Sequence, residues 1–137
     1  RNALFTTCKE AAAIAEKEGC ILCMECHSGT YTNQKNGALE LMLAVNSPHF
    51  RMYWQPDQYK STEENLAYAK LLSPFTVHLH VFHWKAGKKL PLQEGKTEWK
   101  AYLSCFGAEK TLLLEFMPDG KLVSLNTEAA ALKEIAK

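Results

Sequence analysis

Three cysteines and a glutamate crowd the stretch GCILCMECHSG, Gly19 to Gly29. Cys20, Cys23 and Cys26 have the C-x-x-C-x-x-C spacing that holds iron–sulfur clusters, and Cys23 to His27 also reads C-x-x-C-H, the attachment motif of a c-type haem. The residues between the sulfurs argue against both. Ile21, Leu22 and Met24 are strand-core residues rather than the Gly/Pro-rich loop that wraps a cluster. On a strand, residues three apart point to opposite faces and lie roughly 10 Å from each other. Cys23 then faces away from Cys20 and Cys26, and the three sulfurs read as small buried hydrophobes. That leaves Glu25 as the residue with chemistry to offer.

Glu25 has three counterparts further along the chain. Gln55 follows the aromatic run FRMYW, His80 closes the alternating FTVHLHVF, and Glu115 ends TLLL. Two carboxylates, one imidazole and one amide suit a divalent cation such as Mn²⁺, Mg²⁺ or Co²⁺. The same two carboxylates can instead act as acid and base on either side of a bound sugar. His27, two residues beyond Glu25, is placed on the same strand face to bind a substrate hydroxyl, or is a hydrogen-bonded structural histidine. Lys85, Lys88 and Lys89 stand where they can meet a phosphate or sugar hydroxyls, or solvent alone. Trp54 and Trp84 can stack on the apolar face of a sugar or cover the core. His78, one step below His80, reads as core.

These residues converge only if the elements carrying them are strands of one sheet. Residues 3–18 are Ala- and Glu-rich, with Leu4, Ala11, Ile14 and Ala15 at helical spacing and Gly19 as the stop. Residues 20–26 form a short apolar run, the mark of a buried strand. ALELMLAVN has helical propensity and stops at SPH, and FRMYW (50–54) is a strand closed by Pro56. STEENLAYAKLL opens on a capping box, Ser61 with Glu64. In FTVHLHVF (75–82), strict alternation sets Val77, Leu79 and Val81 against His78, His80 and Phe82. A long polar loop leads to a helix near TEWKAYLSCF, then a strand at 111–117 and a last helix from Asn126 or Thr127.

The order is α-β-α-β-α-β-α-β-α with no hairpin signal, which means parallel strands joined by right-handed crossovers. The α/β class follows, as one unit over 1–137. In such architectures function sits at the C-terminal ends of the strands, where Glu25, Gln55, His80 and Glu115 fall. Four βα repeats are few, since a closed barrel has eight.

Bulk properties narrow the partners. The 137 residues carry 16 basic against 15 acidic side chains, a net charge of +1 that leaves no electrostatic footprint for nucleic acid. No apolar run approaches the roughly 20 residues of a membrane helix. Five cysteines, three on one apolar run, argue for a reducing, cytoplasmic setting. The start at Arg1, with a helix-like rather than signal-like N-terminus, suggests a piece of something longer.

CMECHSGTYT, YWQPDQ, VHLHVFHWKAGKKLPLQEGKTEW and LLLEF together resemble the second half of the xylose-isomerase-like barrel, the sugar phosphate isomerase/epimerase superfamily. That superfamily also holds inosose dehydratases and apurinic-site endonucleases. The resemblance covers nearly the whole chain, and its most specific part runs from His80 through the basic segment to Pro-Leu, Gly95 and Trp99. It implies a (β/α)8 barrel of which strands five to eight are present, with a divalent metal (Mn, Mg, Co or Zn) held by Glu, Asp, His and Glu. Motif by motif these fall on Glu25, Gln55, His80 and Glu115, so Gln55 departs from the family's Asp. It further implies that Glu25 and Glu115 move a proton between adjacent sugar carbons through an enediol. His27, Trp54, Trp84, Lys85 and Lys89 become the candidates for binding a sugar or sugar phosphate. A full barrel needs about 250 residues, so a half barrel would lack one wall of its pocket. Its two open sheet edges would favour a homo-oligomer, and the fragment would show little or no activity. The rival readings are a non-catalytic sugar-binding or scaffold domain with a decayed metal site, and an apurinic-site nuclease. The nuclease needs more His and Asp ligands and a basic groove than this sequence supplies.

Overall fold

A computed structural model describes residues 1–137 except Lys35 and Ala108. Among the described residues, helix and strand alternate as α1 (Asn2–Lys17), β1 (Leu22–Glu25), α2 (Gly37–Val45), β2 (Phe50–Trp54), α3 (Thr62–Leu72) and β3 (Thr76–Val81). Two short strands follow, β4 (His83–Lys85) and β5 (Lys88–Leu90), and then α4 (Lys96–Leu103), β6 (Thr111–Leu114) and α5 (Leu125–Ile135). Strands β1, β2, β3 and β6 form one parallel sheet in that order. The order never reverses, and each helix packs on the next, α1 on α2 through to α4 on α5. None of these helices is long and apolar enough to cross a membrane.

Local chemistry explains the elements. α1 stops because Gly19 takes φ +66° and turns the chain back, so that the Cys20 N–H donates to the Ala15 carbonyl. α3 begins at a formed capping box: the Glu64 N–H donates to Ser61 Oγ at 3.2 Å, and the Ser61 N–H to Glu64 Oε2 at 2.8 Å. One face of the sheet is packed. Met52, Trp54, Leu79 and Val81 are fully buried against Leu41, Ala69, Leu72, Trp99 and Tyr102. Each large apolar side chain so buried contributes roughly 1.5–3 kcal/mol. Trp99 also donates its Nε1–H to the Phe82 carbonyl at 2.6 Å, tying α4 to the end of β3.

The other face is open. Cys23 pairs in register with Arg51, Glu25 with Tyr53, Tyr53 with His78, and His80 with Leu113, and each of these residues keeps some contact with solvent. An extra residue in β3 sets this arrangement. Met52 is opposite Thr76, but Tyr53 is opposite His78, so Val77 is bulged out of the ladder. Thr76, on the near side of the bulge, is buried and donates its hydroxyl to the Leu72 carbonyl.

Four expectations need correction. The segment read as a polar loop without a hairpin is one: β4 and β5 pair antiparallel through a two-residue turn at Ala86 and Gly87, both at positive φ as a type I′ turn requires. The run 20–26 is not a buried strand. β1 is an edge strand, and Ile21 and Leu22 are exposed because they have neither an outer neighbour nor a cover. Strict alternation fails at Val77, which is half-buried at the bulge rather than aligned with Leu79 and Val81. Ile14 is exposed, and α1 buries Cys8, Ala12 and Ala15 instead.

Candidate functional site

The open face ends in a polar cluster. Glu25 is the last residue of β1, Gln55 and Glu115 follow β2 and β6 directly, and His80 is the penultimate residue of β3. His80 Nδ1 lies 2.9 Å from Gln55 Oε1 and 3.2 Å from Glu25 Oε1. Glu25, His80 and Glu115 each offer a ligand atom, and these atoms all lie within 4.8 Å of one another. The four strand-end residues therefore converge at one end of the sheet. Their oxygens and nitrogen suit a hard or borderline divalent ion.

Burial tunes one of the acids. Withdrawal of the Glu115 carboxyl from water raises its pKa, with the Glu25 charge adding to the rise, while His80, His27 and Lys89 pull the other way. Glu115 thus holds a proton more readily than an ordinary glutamate. Tyr53, beneath the cluster, was not anticipated. Its ring centroid lies 4.4 Å from that of His80 and 4.8 Å from that of His78, so the tyrosine wedges both imidazoles on the open face. The alternation Arg51, Tyr53, Gln55 carried the signal for it. His78 accordingly lies on the open face, not in the core.

A second polar network, also unanticipated, fixes the loops that follow β1 and β2. Asn33 donates Nδ2–H to Asp57 Oδ2 at 2.6 Å, and Lys60 contacts both Asn33 Oδ1 (2.9 Å) and Asp57 Oδ2 (3.3 Å). The Asp57 N–H donates to Asn65 Oδ1, and Asn65 returns a bond to the Asp57 carbonyl. Burial works against the Asp57 charge, but the bonds from Asn33 and the Tyr59 N–H, with Lys60, outweigh it and leave the pKa below the usual range. Thr32, next to Asn33 in the first loop, donates to the Glu25 carbonyl at 2.7 Å and ties that loop to the end of β1. Asp57 is only two residues from Gln55, yet it belongs to this lock and not to the metal-type cluster.

The outer candidates divide. His27 is exposed after β1, with Nδ1 2.8 Å from the Ser28 carbonyl and its charge felt at Glu115. Lys89 places its ammonium 4.1 Å from the Phe116 ring centroid and 5.3 Å from that of Trp84. Trp84 is half-buried beside them, 6.0 Å from Phe116, and its Nε1–H has no acceptor among the described residues. Lys85 points elsewhere and donates to Glu98 Oε1 at 2.6 Å. Trp54 is corrected outright. It is wholly buried on the packed face against Trp99, Tyr102 and Phe106, and it cannot touch a ligand on the open one.

The cysteines differ in environment. All five are free; Cys20 is exposed, Cys23 lies on the open face, and Cys26 is buried with its thiol pushed up to about 12 by burial. Cys20 thus departs from the reading as a small buried hydrophobe. No protein-family model matches the sequence, and no curated protein is similar enough to count as a relative.

Proposed function

We propose that the chain forms strands five to eight of a (β/α)8 barrel and carries the site of a divalent-metal-dependent sugar or sugar phosphate isomerase or epimerase of the cytoplasm. One observation carries the reading: three strand ends bring donor atoms of Glu25, His80 and Glu115 within 4.8 Å, with Gln55 against the same imidazole. The unreversed strand order, a helix layer on one face and a bare opposite face support the half barrel. Five free cysteines support a reducing compartment.

Glu25, His80, Glu115 and the Gln55 amide oxygen are the residues that would hold the metal. When bound, it polarises the carbonyl and hydroxyl oxygens of a neighbouring sugar. Glu115, with its raised pKa, takes and returns a proton at its carboxylate between adjacent substrate carbons, through an enediol. Glu25 orients His80 and carries the second negative charge. Tyr53 and the Asp57 lock keep these side chains in place.

Mn²⁺ titration by calorimetry, with deuterium exchange into sugar phosphates from D2O, tests the reading. Metal binding, with little or no exchange by the half barrel itself, is the expected result. Absence of any divalent-ion binding would overturn it. A second reading has a specific observation behind it: the uncharged Gln55 fits a sugar-binding domain whose metal site has decayed. That domain would bind sugars without metal and without exchange.

A further inference from the structure

We infer that Lys89 is the specificity-determining residue of this site and selects a sugar that carries an anionic group, phosphate or carboxylate, over a neutral one. The inference rests on the metal-dependent reading above and names its substrate class.

The hairpin makes the placement. Trp84 and Lys89 are directly opposed across β4 and β5, so they share one face of the ribbon, while Lys85 and Lys88 are the next opposed pair and share the other. The Trp84–Lys89 face meets Phe116. Phe116 is the residue after Glu115, one Cα step of about 3.8 Å from a metal ligand. An ammonium held over two rings is oriented by them but not neutralised, and its N–H donors remain available.

Charge balance then decides what it meets. Glu25 and Glu115 together cancel a divalent ion, and Gln55 adds nothing where a third carboxylate would leave an excess of negative charge. Lys60 and Lys85 are already paired, with Asp57 and Glu98. Lys89 makes no ion pair among the described residues, so the loaded site keeps one positive charge at its rim. A free ammonium at the rim selects an anion over a neutral group.

The test uses the whole chain loaded with Mn²⁺ and three probes by calorimetry: xylitol, xylitol 5-phosphate and xylonate. At low salt, at least one anionic probe is expected to bind about 10-fold or more tightly than xylitol, and the preference should shrink at high salt. Which anion wins separates phosphate from carboxylate. Lys89→Gln should abolish the preference while the chain still binds Mn²⁺. Lys89→Arg should keep it, and Lys88→Gln, on the other face of the hairpin, should leave it intact. Equal binding of all three probes, or a preference that survives in Lys89→Gln, overturns the inference while leaving the metal site standing. Failure to bind Mn²⁺ at all removes both.

Discussion

His80 Nδ1 lies 3.2 Å from Glu25 Oε1, although the two residues belong to β3 and β1 and a whole strand runs between them. Strands two apart in a sheet are separated by roughly 10 Å. The side chains close that gap by leaning over Tyr53, whose ring supports the imidazole at 4.4 Å. Gln55 completes the bridge from the middle strand.

If that bridge is a metal site, its members are unequal to their neighbours in effect. Glu25→Gln, Glu115→Gln and His80→Ala should each weaken Mn²⁺ binding by about 100-fold or more, beyond the 10–100-fold typical of supporting residues. Cys23→Ala should alter only stability. Calorimetric titration of the four variants checks this, and a cysteine variant that alone lost metal would restore the redox reading.

Gln55 permits a gain-of-affinity experiment. Gln55→Glu keeps the length of the side chain and adds a charge next to Glu25 and Glu115. Divalent-ion affinity should rise by about 10-fold or more, while the metal-free protein loses stability from carboxylate repulsion. Melting with and without Mn²⁺ reads both signs at once.

Thiol reactivity should rank by burial. Cys20 is exposed, whereas burial raises the pKa of Cys23 and pushes Cys26 up to about 12. Iodoacetamide at pH 8, followed by peptide mass spectrometry, should label Cys20 first and Cys26 last. Equal labelling of the two would contradict the buried packing role of Cys26.

Asp57 should matter for acid stability. Its folded pKa is depressed, so its contribution is present above the unfolded value of about 4 and is lost as pH falls through the lower folded value. Asp57→Asn should therefore cost about 1–3 kcal/mol at pH 7, with the difference from wild type narrowing toward pH 2. Urea unfolding across that range gives the comparison.

Two copies should associate. Among the described residues β1 pairs only with β2 and β6 only with β3, and Ile21, Leu22 and Leu113 are exposed near those outer edges. Unpaired apolar edges template strand pairing, and a two-fold arrangement can satisfy both. Sedimentation at micromolar concentration should show a dimer; a well-folded monomer would mean the edges are protected otherwise.

The helices and the four sheet strands were legible because apolar periodicity and stop signals agreed, as at Gly19 and at the Ser61–Glu64 capping box. The convergence of Glu25, Gln55, His80 and Glu115 followed from their place at strand ends. The hairpin was hidden because its turn uses Ala86 at φ 51° where Asn or Asp would have announced it. Trp54 could have been excluded by parity, since it shares a strand face with Met52 and opposes Gln55. The pairing of Lys85 with Glu98, by contrast, depends on how α4 docks, and no local pattern carries that. The Asp57 lock joins residues 24 apart through loops, which periodicity does not describe.

The bulge at Val77 makes β3 a strand of two independent phases. Upstream, Thr76 is anchored to Leu72 and answers to the packed layer; downstream, His78 and His80 answer to the open one. A single inserted residue thereby reverses which parity of position meets the open face. Pairing the strand without the bulge, with Val77 opposite Tyr53, would hand Leu79 and Val81 to the bare surface and turn both imidazoles inward, leaving the composition of the strand unchanged and its chemistry gone. Register, more than residue identity, is what this point of the chain must hold: deleting Val77 would leave Tyr53 opposite His78 and both imidazoles where they are.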